Sequence, residues 1–142
     1  MSNIHGMFLE DLKVGMDAVM ARTVTDADIV LYAGVSGDTN PIHLNQEYAA
    51  TTIFKTRIAH GMLSAGFISA VLGTKLPGPG AVYVSQTLRF KAPVRVGDTV
   101  TARVEVTEIA MDRKRASFKT ECLVGGKVVI EGDAVLMIPS RV

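Results

Sequence analysis

The sequence predicts an α+β protein in which an antiparallel sheet wraps around one long, central apolar helix. Two observations carry this. From residue 81 onward the chain alternates apolar and polar side chains in runs separated by turn signals, the period of half-buried antiparallel strands. Between Arg57 and Lys75, by contrast, IAHGMLSAGFISAVLGT continues for seventeen residues without a charge. The two halves of the chain therefore follow different periods, helical first and extended afterwards.

Taken in order, residues 17–24 form a first strand. DADIVLYAGV, residues 26–35, is a short helix with Thr25 as its N-cap and Gly34 or Gly37 near its end. SGDTNPIH interrupts it, and Gln46 to Ala50 is a further helical turn. The main helix covers residues 61–75 and is stopped by LPGPG, which cannot continue it. Because this helix is apolar nearly all round, protein should cover it on most sides. VYVSQTLRFKAPV reads as a strand, with Pro93 marking a bulge or an edge near its end.

In DTVTARVEVTEI, Val100, Ala102, Val104 and Val106 face one way and Thr101, Arg103, Glu105 and Thr107 the other. KRASFKTECLV repeats the pattern with Ala116, Phe118, Thr120 and Cys122, and Gly125-Gly126 is a hairpin turn into KVVIEGDAVLMI. A helix lying flat on an open sheet would need a polar outer side, and this one has almost none. A sheet that curls around the helix buries one face of every strand on the same apolar cylinder. Such a sheet still has edges, and pairing with a second copy hides one, so a homodimer is expected.

Bulk properties narrow the function. The 142 residues fit one domain spanning 1–142, and 48% apolar content is that of a folded core. The formal charge is +1, with Lys and Arg spread along the chain, so neither nucleic acid nor an anionic membrane is an expected partner. The uncharged run is shorter than the ~20 apolar residues of a membrane span and includes His60, Ser64 and Ser69, which favours a buried helix. Cys122 is the sole cysteine, in keeping with a reducing compartment, and MSNIHGMFLEDLKVG has no basic-then-apolar leader pattern. A cytoplasmic location is expected.

Chemistry concentrates in two places. Asp38 and His43 lie five residues apart, with Pro41 restraining the backbone and pushing Asn40 towards an extended conformation, so that the segment leaves the helical path. A carboxylate and an imidazole aimed at one small volume suit acid–base work on a water near neutral pH. The same residues also make an ordinary turn, with Asp38 closing it and His43 packed as a hydrogen-bonded side chain. The second place is His60-Gly61 at the start of the apolar helix. The first N–H groups there have no intrahelical partner and can stabilise an oxyanion, with glycine allowing close approach. Equally, Gly61 can serve tight packing alone.

GDTNPIHLN, then IAHGMLSAG with its histidine seventeen residues after His43, then LPGPGAVYVSQTLRFKAPVRVGDTV, together resemble the MaoC-like (R)-specific enoyl-CoA hydratases of the hotdog superfamily, PhaJ-type enzymes in particular. The resemblance runs from about Val24 to the C-terminus. It implies the hotdog fold, a dimer, and reversible addition of water to a trans-2-enoyl-CoA to give (R)-3-hydroxyacyl-CoA. It further implies Asp38 and His43 as the catalytic pair, the Gly61 N–H as the oxyanion donor, and Asn40, His60 and Ser69 as supporting or substrate-binding residues. Coenzyme A enters as part of the acyl-CoA substrate, and no separate cofactor is implied. Asn45 stands where relatives often carry an acidic residue.

Competing readings are the dehydration of a (3R)-hydroxyacyl group on an acyl-carrier protein, thioester hydrolysis, and a non-catalytic acyl-CoA-binding subunit. No metal is expected, because His43, His60, Asp38 and Cys122 include no close-spaced ligand pair or HExxH pattern. LPGPGA lacks the Gly-Lys-Ser/Thr ending of a P-loop, and neither Ser64 nor Ser69 sits in a nucleophile elbow.

Overall fold

The computed structural model describes residues 4–142. Its strands are β1 (Asp17–Thr23), β2 (Val82–Gln86), β3 (Arg89–Phe90), β4 (Thr99–Ala110), β5 (Arg115–Val124) and β6 (Lys127–Met137). They form an antiparallel sheet in the order β1-β4-β5-β6-β2, with β3 also paired to β6. The helices are α1 (Asp26–Ser36), α2 (Pro41–Leu44), α3 (Gln46–Ala50) and α4 (Gly61–Thr74).

The predicted alternation sets the core. Val100, Ala102, Val104 and Val106 of β4 are fully buried, as are Phe118, Thr120 and Cys122 of β5, while Ala116 is almost so. Opposite them, α4 presents Phe67, Ile68, Val71 and Leu72, and it touches β1, β4, β5 and β6. Burying each such side chain contributes about 1.5–3 kcal/mol, which holds the helix against the sheet despite its five glycine or serine positions. Gly125 and Gly126, at φ 57° and 78°, make the β5–β6 hairpin as expected. Burial pushes the Cys122 thiol up to about 12, so it behaves as a small core residue, with its sulfur donating to the Ser64 carbonyl.

Two sequence expectations are corrected and one is refined. The strand expected over VYVSQTLRFKAPV is two strands, broken at Thr87-Leu88. There the Thr87 carbonyl crosses so close to Gly132 that a β-carbon on that glycine would collide with it. Second, the cover on α4, present on most sides as expected, leaves one face open: Met62, Gly66, Ser69 and Gly73 form an exposed stripe along it. Its small residues leave this outer face nearly flat. Third, the segment after Asn40 does not stay out of the helical path, because α2 begins at Pro41. Proline's fixed φ suits the first helical position, where its missing N–H is no loss, and Asn40 caps the turn from a non-helical conformation.

The helix termini place the functional segment. Thr25 and Asp28 close a reciprocal capping box at the start of α1, and Gly37, at φ 81°, ends it. The chain then reverses into the residues that carry the chemistry. No helix is long and apolar enough to cross a membrane among the described residues.

Candidate active site

A chain of short-range hydrogen bonds builds the first motif. Ser36 Oγ donates to the Tyr32 carbonyl and accepts from the Asp38 N–H at 3.1 Å. Asp38 Oδ1 in turn accepts from the Asn40 N–H at 3.2 Å, and Asn40 Oδ1 accepts from the Ile42 N–H at 3.0 Å. Each side chain therefore turns the backbone by satisfying an amide two residues on. Asn40 supports the site through the main chain, as the cap that starts α2. Asn45, the departure from the family pattern, caps α3 by accepting from the Tyr48 N–H.

His43 occupies α2 and retains 9% of its surface. Its Nδ1 lies 2.7 Å from the Ile58 carbonyl, which can only accept, so Nδ1 carries the hydrogen and Nε2 is a bare lone pair. Arg57 donates from Nε to the His43 carbonyl and pairs with Asp26 at 2.7 Å, tying α2 to the start of α1. Burial holds the His43 imidazole below its ordinary pKa; the Ile58 carbonyl and the Asp38 charge oppose that shift, and His60 adds to it. The ring is thus kept neutral and able to accept a proton.

The second motif meets the first directly. His60 precedes α4 and is 2% exposed. Its ring stacks on His43 with centroids 3.8 Å apart and planes at 30°, while Tyr32 packs at its side, 4.7 Å away. Its Nε2 donates to the backbone carbonyl of Asp38 at 2.9 Å. A carboxylate oxygen of Asp38 and one ring nitrogen from each histidine all lie within 4.8 Å of one another. These are metal-ligand residue types, but the stacked rings keep their in-plane lone pairs in two separate planes 30° apart, with centroids only 3.8 Å apart, which is poor geometry for one shared ion.

Beside the imidazoles opens a cleft of about 320 Å³, lined by His43, His60, Gly61, Ser64, Phe90 and Ile130 among others. Gly61 is the first residue of a 14-residue helix, and its N–H belongs to the positive end of the helix dipole. A β-carbon on Gly61 would lie 2.5 Å from the Phe90 ring, so glycine lets the ring and the helix end approach. Lys91 lies at the same cleft.

Asp38, His43, His60 and Gly61 are brought together from two segments. Asp38 itself is exposed and approaches the rings without lining the cleft. Ser69 is elsewhere, on the exposed stripe of α4. Sequence reasoning passed over Ser64 as a site residue. It lines the cleft, and its hydroxyl is buried without a hydrogen-bond partner among the described residues, as is Nδ1 of His60. Leaving such a group unpaired typically costs about 1–3 kcal/mol. The signal that could have found it is helical period: Ser64 shares a face with Gly61, Phe67 and Ile68.

An antiparallel sheet packed on one long helix makes this a small α+β protein, and the Asp–His pair beside the helix N-terminus gives its site an acid–base pair next to N–H donors. The MaoC-like domain model matches residues 9–132, and the chain belongs to that family. It is 63% identical to the (R)-specific enoyl-CoA hydratase of Rhodospirillum rubrum, over 94% of this chain and 93% of the relative. It is 51% identical to the 3-hydroxybutyryl-CoA dehydratase of Methylorubrum extorquens, over 95% and 86% of the two chains. Among solved structures, R-hydratase PhaJ1 from Pseudomonas aeruginosa in its unliganded form superposes with a TM-score of 0.91 at 44% identity, covering 97% of this chain and 89% of its own. The fold is the hotdog fold.

Proposed function

We propose that this chain is an (R)-specific enoyl-CoA hydratase, a hydro-lyase that reversibly adds water to trans-2-enoyl-CoA to give (R)-3-hydroxyacyl-CoA. The carrying observation is the meeting of the Asp38 carboxylate and the His43 imidazole within 4.8 Å, beside the free N–H end of α4. Full-length likeness to hydratases of this specificity supports the same reading.

The chemistry follows from the bonding. The thioester carbonyl withdraws electrons from the double bond, leaving C3 electrophilic. His43 Nε2, bare because Nδ1 serves Ile58, takes a proton from water while Asp38 holds the water's other hydrogen. The water oxygen bonds to C3, and the π electrons move through C2 to the thioester oxygen. The Gly61 N–H stabilises that oxyanion, a contribution typically of about 3–4 kcal/mol. The charge collapses as C2 takes the proton held by the Asp38–His43 pair, so the protons balance and no redox partner is needed. No metal or separate cofactor enters these steps.

The protein works as a cytoplasmic homodimer in this reading. β2 is an edge strand whose Val82, Tyr83 and Val84 are exposed, and the flat stripe of α4 is uncovered, so a second copy has both a strand edge and a small-residue face to occupy. Ser69 lies on that stripe, and its supporting role belongs to the dimer.

Incubation of the purified protein with crotonyl-CoA tests the function. Loss of enoyl-thioester absorbance without release of free thiol, with (R)-3-hydroxybutyryl-CoA as product, is the expected result. Thiol release without hydration would establish hydrolysis instead, and inertness towards short and medium enoyl-CoAs alike would move the substrate to an acyl-carrier protein.

A further inference from the structure

Nδ1 of His60 and Oγ of Ser64 stand apart from the other polar groups around the cleft. Nδ1 of His43 is bonded to Ile58 and Nε2 of His60 to Asp38. The two remaining atoms are enclosed, in residues 2% and 0% exposed, and neither has a partner among the described residues.

Their needs are complementary. The Asp38 carbonyl can only accept, so His60 Nε2 carries the hydrogen and Nδ1 of the neutral ring is a lone pair in want of a donor. The Ser64 hydroxyl has a hydrogen to give. The residues are four apart, across the start of α4, where side chains stack on one face and lean towards the helix N-terminus. Ser64 therefore leans over the turn that holds His60. The two atoms are not directly bonded, but both residues line the same cleft. Buried waters commonly satisfy such polar groups with two to four hydrogen bonds.

We propose that Ser64 and His60 share one buried water, which accepts from the Ser64 hydroxyl and donates to His60 Nδ1, making Ser64 a positioning residue for the Asp38–His43 pair. The water fixes the His60 tautomer. That tautomer holds the Asp38 peptide through Nε2–H and keeps the ring stacked against His43. In this arrangement Ser64 acts on the pair through the His60 ring.

The test uses the full chain with Ser64→Ala, and Ser64→Cys as a near-isosteric second variant that serves if the alanine protein melts too early. Ring-nitrogen NMR of His60 needs no substrate. In the wild type, Nδ1 is expected at the shift of a hydrogen-bonded acceptor, and in the variants it moves towards a free acceptor or the tautomers mix. With crotonyl-CoA, a reading that rests on the proposed function, kcat falls roughly 10-fold to 100-fold while KM stays within about twofold. Unchanged His60 nitrogen shifts in a folded variant overturn the proposal, as does an unchanged kcat in a protein that hydrates crotonyl-CoA. If the wild type is inert towards crotonyl-CoA but the variants still move the His60 shifts, the assigned reaction has failed and the shared water stands.

Discussion

The Nε2 of His60 donates to the backbone carbonyl of Asp38 at 2.9 Å, joining residues 22 apart in the chain. This bond makes one site of two motifs, since His60 belongs to the start of the apolar helix and Asp38 to the turn after α1. Replacing His60 with alanine removes the donor, the stacking partner of His43 and a nearly buried ring. We expect His60→Ala to lose about 2–4 kcal/mol of stability and most activity together, read by urea unfolding and the hydration assay. A variant as stable and as active as the wild type would show that the bond has no such role.

The catalytic pair should behave differently. Asp38 is exposed, and asparagine keeps an acceptor for the Asn40 N–H, so Asp38→Asn should fold with an unchanged melting profile. Its turnover is expected to drop by about 10²–10⁴-fold, the usual scale of acid–base assistance. His43→Gln should show a similar loss. Near wild-type rates in either folded protein would remove that residue from the mechanism.

His43 also sets a pH limit. Burial lowers its folded-state pKa below the ordinary value of about 6.5, so the neutral base persists into mildly acidic solution. The acid limb of kcat/KM is therefore expected below pH 6.5, and an acid limb above that value would contradict the role given to Nε2. The sign for stability is the same. As pH falls from the ordinary value to the lowered one, the unfolded chain takes up this proton first, and His43 subtracts from stability across that window.

Gly61 couples the helix end to Phe90. A methyl group there meets the ring at 2.5–2.6 Å, but Phe90 is 53% exposed and can swing away. Gly61→Ala is expected to fold while disturbing the approach to the oxyanion N–H, lowering kcat/KM by about 10-fold or more. Stopped assays on the folded variant measure it, and unaltered kinetics would place the substrate carbonyl elsewhere.

Gly132 gives the contrasting case. The atom facing it is backbone, the Thr87 carbonyl, which is itself held between β2 and β3 and cannot swing aside. Gly132→Ala is expected to cost about 1–3 kcal/mol or more, seen as a lower denaturant midpoint, even though the position lies outside the cleft. A midpoint equal to that of the wild type would mean that the β2–β3 break relaxes freely.

Much of this was legible in the sequence for a simple reason: period and punctuation act locally. Alternation fixed which faces of β4 and β5 are buried, Thr25 and Gly37 bounded α1, and Asp38, His43 and Gly61 stood out through residue type and motif. Asn40 was legible as a support, although not as the cap of a helix that starts at Pro41. What pattern alone could not supply is distance between segments. The stacking of His43 on His60, the hand of each imidazole's hydrogen, and the opposed fates of Ser64 and Ser69 depend on how α4 is rotated against the sheet. Helical period groups Ser64 with Gly61, Phe67 and Ile68, but a helix that is apolar nearly all round does not say which of its faces meets the sheet. The packing of Phe67, Ile68, Val71 and Leu72 against β4 and β5 decided it, turning Ser64 into the cleft wall and Ser69 onto the exposed stripe.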